Sequence, residues 1–186
     1  MRRAGGWLLA AVLLAGWGTA GRAEEPATGG FATLEGKHPV TVELISEHAS
    51  IQPGGTSRIG VHFELEDGWH IYAKEPGDAG LPTSINWSAL AGASFGPLAW
   101  PAPQTFEESG DIKTFGYSGA VVLSSEVTAS PALKPGDELP IRAEVKWLAC
   151  KEICLPGSAL LQLSLPGSAS TPVASSDAEL FDYTGG

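Results

Sequence analysis

Hydrophobic and polar positions alternate with period two over three stretches of the chain. Val40, Val42 and Leu44 alternate with Thr41 and Glu43; Ile59, Val61, Phe63 and Leu65 alternate with Gly60, His62, Glu64 and Glu66; Ile141, Ala143, Val145 and Trp147 alternate with Arg142, Glu144 and Lys146. Successive side chains of a strand point to opposite faces, so each stretch predicts a half-buried β-strand. Residues 69–72, 85–87, 120–127 and 159–165 are further strand candidates, punctuated by Pro53-Gly54-Gly55, Asp67-Gly68, Pro76-Gly77-Asp78 and Pro135-Gly136-Asp137. No window of a dozen residues carries a helical stripe. Short strands with turn signals at intervals predict an all-β fold, an antiparallel immunoglobulin-like β-sandwich, over residues 40–165.

The ends of the chain read differently. Met1, Arg2 and Arg3 followed by the apolar run at residues 7–14 have the form of a secretory signal peptide, residues 1–23, with Gly21 and Ala23 as the small residues before the cleavage point. Cleavage after Ala20 is the alternative. The apolar run is shorter than the roughly 20 residues needed to span a bilayer, so the segment predicts export to the periplasm rather than an anchor. No membrane span is expected after cleavage. Residues 24–39 read as a leader or linker, and residues 166–186 as a low-complexity acidic tail that docks or hangs free.

Charge narrows the partners. Among 186 residues, 11 Lys and Arg stand against 21 Asp and Glu, a formal charge of −10, which leaves no basic face for a nucleic acid. Loss of Arg2, Arg3 and Arg22 with the signal peptide lowers this to −13, and loss of Met1 leaves the mature chain without methionine. There is no GxSxG or HExxH pattern to suggest hydrolysis.

The chemistry concentrates in residues 145–157, VKWLACKEICLPG, where Cys150 and Cys154 form a CxxxC spacing expected on one strand-to-strand loop. Two cysteines in an exported protein are commonly a structural disulfide. A ring this short, however, contributes only about 2 kcal/mol in the chain-entropy account, against roughly 4 to 5 for a bridge between distant strands. Such a pair is better placed for exchange through a mixed disulfide. Lys151 would favour a thiolate here, and Glu152 would oppose it.

Four motifs in the same order resemble a known family: Asp67 to Tyr72 (DGWHIY), Gly80 to Trp87 (GLPTSINW), Phe115 to Gly119 (FGYSG) and Trp147 to Pro156 (WLACKEICLP). Together they resemble the N-terminal periplasmic domain of the thiol:disulfide interchange protein DsbD, and most nearly the variant in the copper-sensitivity suppressor reductases. The resemblance implies an immunoglobulin-like domain with a redox-active cysteine pair on a hairpin near one end. It implies that electrons arrive from a membrane-embedded donor and pass to periplasmic thiol-disulfide proteins. On this resemblance Cys150 and Cys154 are the redox pair and His70 and Tyr72 line the site. The best-known members space their cysteines more widely. They also shield the disulfide with an aromatic cap loop, which here corresponds to residues 106–115 (FEESGDIKTF), with Phe106 as first choice of cap and Phe115 as second. The full-length reductases continue into membrane helices and a thioredoxin-like domain; this chain reads as a stand-alone domain whose electron source is another protein or does not exist.

Two other readings stay open. Two thiolates four residues apart are soft ligands that suit Cu(I), with His70 as a third, which would make a copper-tolerance module. An inert clip in a structural sandwich is the other. The exchange reading needs no cofactor and no resident metal, and expects a monomer. In the strand pattern Trp69 and Ile71 face inward and His70 and Tyr72 outward, so His70 is either a surface histidine beside a turn or a neighbour of the cysteines.

Overall fold

The computed structural model describes residues 38–90, 92–108 and 110–182. The predicted signal peptide and nearly all of the leader lie outside the described residues.

Ten strands follow one another: β1 Val40–Ser46, β2 Thr56–Leu65, β3 His70–Gly77, β4 Ser84–Ala89, β5 Ala93–Phe95, β6 Gln104–Glu108, β7 Ile112–Ser118, β8 Ala120–Ala129, β9 Glu138–Cys150 and β10 Cys154–Pro166. They form two antiparallel sheets, one in the order β1-β2-β8-β5 and the other β10-β9-β3-β7-β6, with β4 paired to β9 beyond the short β3 contact. The chain passes between sheets at Gly119, the single residue separating β7 from β8. The two sheets make the immunoglobulin-like sandwich expected from the alternation.

The predicted inward positions build the core. Ile59, Val61 and Phe63 of β2 face Ile141, Ala143 and Val145 of β9, and all are buried. At roughly 25 cal/mol per Å² of apolar surface removed from water, such layers dominate the folding energy. Inward residues of β9 continue without a break from Leu139 to Ala149, one residue short of the first cysteine.

Two features depart from the expectation. Residues 104–118 show little alternation in sequence, yet they form the hairpin β6–β7, with Phe106 opposite Thr114 and Phe115 opposite Thr105. The expected cap loop is therefore a paired two-stranded element, turning at Gly110 and Asp111 with φ of 88° and 60°. The acidic tail is docked over its described part. Ala49 N–H donates to the Val173 carbonyl and Ser175 N–H to the Glu47 carbonyl, extending pairing past the end of β1. A 3-10 turn, Ala178–Asp182, then lays Phe181 under the Arg58 guanidinium at 5.2 Å, while Arg58 also bonds Asp182 at 3.2 Å and Glu47 at 2.8 Å. Low complexity hid this docking because it depends on backbone pairing and one cation rather than on apolar periodicity.

Candidate functional site: a disulfide on the terminal hairpin

Strands β9 and β10 pair without a slip over 13 positions, from Glu138 opposite Pro166 to Cys150 opposite Cys154. The cysteines are thus the last residue of one strand and the first of the next. They are not at the tip of a loop as the sequence suggested, because the alternating pattern of β9 carries pairing up to the CxxxC itself. Only Lys151, Glu152 and Ile153 turn the chain, with Lys151 N–H donating to the Ile153 carbonyl at 3.1 Å. Cys150 and Cys154 are joined by a disulfide across a Cα separation of 4.1 Å, the close spacing of a non-hydrogen-bonded cross-strand pair.

The two sulfur-bearing residues differ in access. Cys150 is 3% exposed, whereas Cys154 is exposed on an edge strand. The difference follows from neighbours: β10 has nothing on its far side in the sheet, while β9 pairs β3 with Cys150 directly opposite His70. Register partners share a face, so Cys154, Cys150, His70 and Ser118 form one row on the outer face of the sheet.

Aromatic rings continue from that row. His70 stacks on Phe106 with centroids 4.4 Å apart and an interplanar angle of 15°, and meets Tyr72 edge-on at 5.2 Å. His70 and Tyr72 are both buried, so the bland reading of a solvated surface histidine does not hold. Burial on an outward strand position arises because the β6–β7 hairpin brings Phe106 onto that face. Phe115, the second choice, sits on the alternate parity of β7 and is 37% exposed, away from the histidine stack. Thr83 donates its hydroxyl to the Tyr72 carbonyl at 2.8 Å, and Ser118 donates to Gln104 Oε1 at 2.7 Å.

Lys151 and Glu152 are exposed on the turn. Lys151 Nζ donates to the main-chain carbonyl of Asp67 at 2.9 Å, linking the cysteine turn to the turn between β2 and β3. On the inner side Trp147 meets His38 edge-on at 5.3 Å and Phe63 at 6.0 Å. Gly157 opposite Trp147 leaves room for the indole, since a Cβ there would overlap the ring. Burial lowers the His38 pKa, opposed by backbone groups of Val40, Pro156 and Leu155, so this ring packs beside the residues that follow Cys154. Sequence reasoning singled out neither Gln104 nor Thr83; Gln104 has no spacing signal, and Thr83 lies within the GLPTSINW motif without standing out from it.

Among the described residues no three His, Cys, Asp or Glu side chains come together as a metal-binding group, and no helix is long and apolar enough to cross a membrane.

Residues 41–166 match the family described as thiol:disulfide interchange protein DsbD, N-terminal. The chain belongs to the DsbD N-terminal domain family. The fold of this DsbD N-terminal family member is shared with a solved structure. The N-terminal periplasmic domain of ScsB from Proteus mirabilis is 24% identical with a TM-score of 0.56, covering 82% of this chain and 54% of its own. This DsbD N-terminal-like chain thus spans about half the length of that domain. The Neisseria meningitidis DsbD N-terminal domain in the reduced form is 14% identical with a TM-score of 0.39, over 69% of this chain and 89% of its own. No curated protein matches the chain. Family membership makes this a thiol-disulfide exchange domain, and its disulfide-bonded cysteine pair supplies the chemistry of that class.

Proposed function

We infer that the domain works in the periplasm as a two-electron relay between proteins, with Cys154 as the entry sulfur and Cys150 as the resolving one. The observation that carries this reading is the unequal access of two sulfurs joined across one strand pair. In the reduced domain the Cys154 thiolate attacks a sulfur of the partner's disulfide; a Cys154–partner bond forms and the partner's other sulfur leaves as thiolate and takes a proton. Cys150, deprotonated, then attacks Cys154 Sγ, closing the internal disulfide and releasing the partner's second thiol. Two electrons have passed, and the partner leaves reduced.

His70, opposite Cys150 in register, is the group that accepts and returns the Cys150 proton. Phe106 and Tyr72 hold the imidazole from two sides and keep water away from the buried sulfur. Reduction is supplied by a membrane-embedded donor, and the domain acts as a monomer.

Single substitutions test the assignment. Cys150→Ser leaves Cys154 able to attack but removes the resolving thiol, so it should trap disulfide-linked partners from a periplasmic extract on non-reducing gels. Cys154→Ser should trap few or none. Absence of adducts from both variants, each folded by circular dichroism, would remove the relay reading.

A further inference from the structure

When the internal disulfide opens, the three-residue turn between the cysteines loses its covalent closure, and the end of the β9–β10 ladder and the contacts of the turn itself are left to keep the sulfurs adjacent. Lys151 is the turn residue placed to add to that ladder. Its ammonium donates to the Asp67 carbonyl at 2.9 Å, and no carboxylate forms an ion pair with it among the described residues. Asp67 lies in a turn closed by Trp69 N–H to the Glu66 carbonyl at 3.0 Å, which leads directly into His70, the register partner of Cys150. The lysine thus fastens the cysteine turn to the start of the strand that flanks the buried sulfur.

Gly68 supplies a second, independent observation. A Cβ at this position would lie 2.8 Å from Lys151 Cε and 2.9 Å from Nζ, so the lysine stem runs across the bare glycine backbone. Gly68 also has φ of 81°, a left-handed conformation that favours glycine. The turn is shaped to let the stem pass and the carbonyl face the ammonium.

We propose that Lys151 is a positioning residue for disulfide closure: its bond to the Asp67 carbonyl holds the reduced cysteine turn in register, so that Cys150 is already beside Cys154 when a mixed disulfide must be resolved. This rests on the relay reading and adds the element that sets its closing step. Two consequences are opposite in sign and separate the roles of the lysine. A tether narrows the conformations of the reduced form, so losing it favours the reduced form. A positive charge aimed at the thiolate would instead favour the reduced form while present. The bond to a main-chain carbonyl directs the ammonium to the neighbouring turn, so the tether governs.

The test is the reaction of the oxidised domain with glutathione. One glutathione thiolate attacks Cys154, breaking the internal bond and releasing Cys150 as a thiolate that takes a proton; a second glutathione attacks the glutathione sulfur of the adduct, giving the dithiol and oxidised glutathione. In Lys151→Met the equilibrium constant for reduction should rise about fivefold, as expected for loss of one hydrogen bond, which is about +20 mV at the two-electron conversion. The Cys154–glutathione adduct should also persist longer, because Cys150 resolves it more slowly. Gly68→Ala, which displaces the stem but keeps the lysine, should shift both readouts the same way, and Lys151→Arg should stay near the parent. Unchanged far-ultraviolet circular dichroism checks the fold of each variant. A Lys151→Met protein that matches the parent in both readouts, or whose constant falls, overturns the proposal. A parent domain whose potential lies below about −300 mV would instead count against the relay itself, while the ratio between variant and parent still reports on the tether.

Discussion

Phe106 shows how much one ring does. It lies on a strand whose sequence carries no clear period, yet its stacking on His70 turns an outward-facing histidine into a buried one. Phe106→Ala should therefore cost about 1 to 2 kcal/mol in urea unfolding, the aromatic pair plus part of the ring's burial. It should also speed alkylation of Cys150 in the reduced protein, read by mass spectrometry of modified peptides; equal alkylation rates would mean that the ring shields nothing. At this scale the cysteines, His70 and Tyr72 were legible in the WLACKEICLP and DGWHIY motifs. The difference in access between Cys150 and Cys154 was not, because it depends on which strand lies beyond each, and one residue's sequence context holds no record of that.

Among the elements, the terminal hairpin was half legible. Alternation from Ile141 to Trp147 revealed β9, but its 13-residue pairing with β10 up to the cysteines needed the register of both strands. The β6–β7 hairpin and the docked tail were not legible, since Gln104 to Ser118 and the Ser- and Pro-rich segment bury few apolar residues at any fixed interval. What holds the tail can be tested through its charges. The Arg58 side chain bonded to Glu47 holds that carboxyl below its usual 4.5, so the stabilisation is fully present above about pH 4.5 and is lost as pH falls through the lower folded value. The Arg58–Glu47 pair's contribution, under about 1 kcal/mol for so exposed a pair, should accordingly be present at neutral pH and absent in acid, read by urea unfolding of the parent against Glu47→Gln. Arg58→Ala should release the tail at neutral pH, raising the rate of protease cleavage near the 3-10 turn about tenfold while changing global stability by less than about 1 kcal/mol, as exposed ion pairs do.

Across the whole molecule, the fold rests on the packed faces of two sheets and little on the disulfide. The five-residue ring constrains the unfolded chain by only about 2 kcal/mol. Urea unfolding with and without dithiothreitol should differ by about that amount, with the reduced protein still folded; a reduced protein that unfolds outright would show the bridge to be structural. The sandwich class followed from the strand periods because a half-buried sheet imposes period two wherever it occurs, whereas the strand order in each sheet is set by long-range pairing that no window of sequence displays. The continuity of β9 from the core layer to Cys150 bears on how the molecule signals its state. With one sulfur mounted a single residue beyond Ala149, the frame has no hinge through which gain or loss of two electrons could be broadcast as a change of outline. Oxidised and reduced forms should therefore share the frame up to Ala149 and differ only at the turn of residues 151–153, which matching amide hydrogen-exchange rates along β9 in the two forms would check.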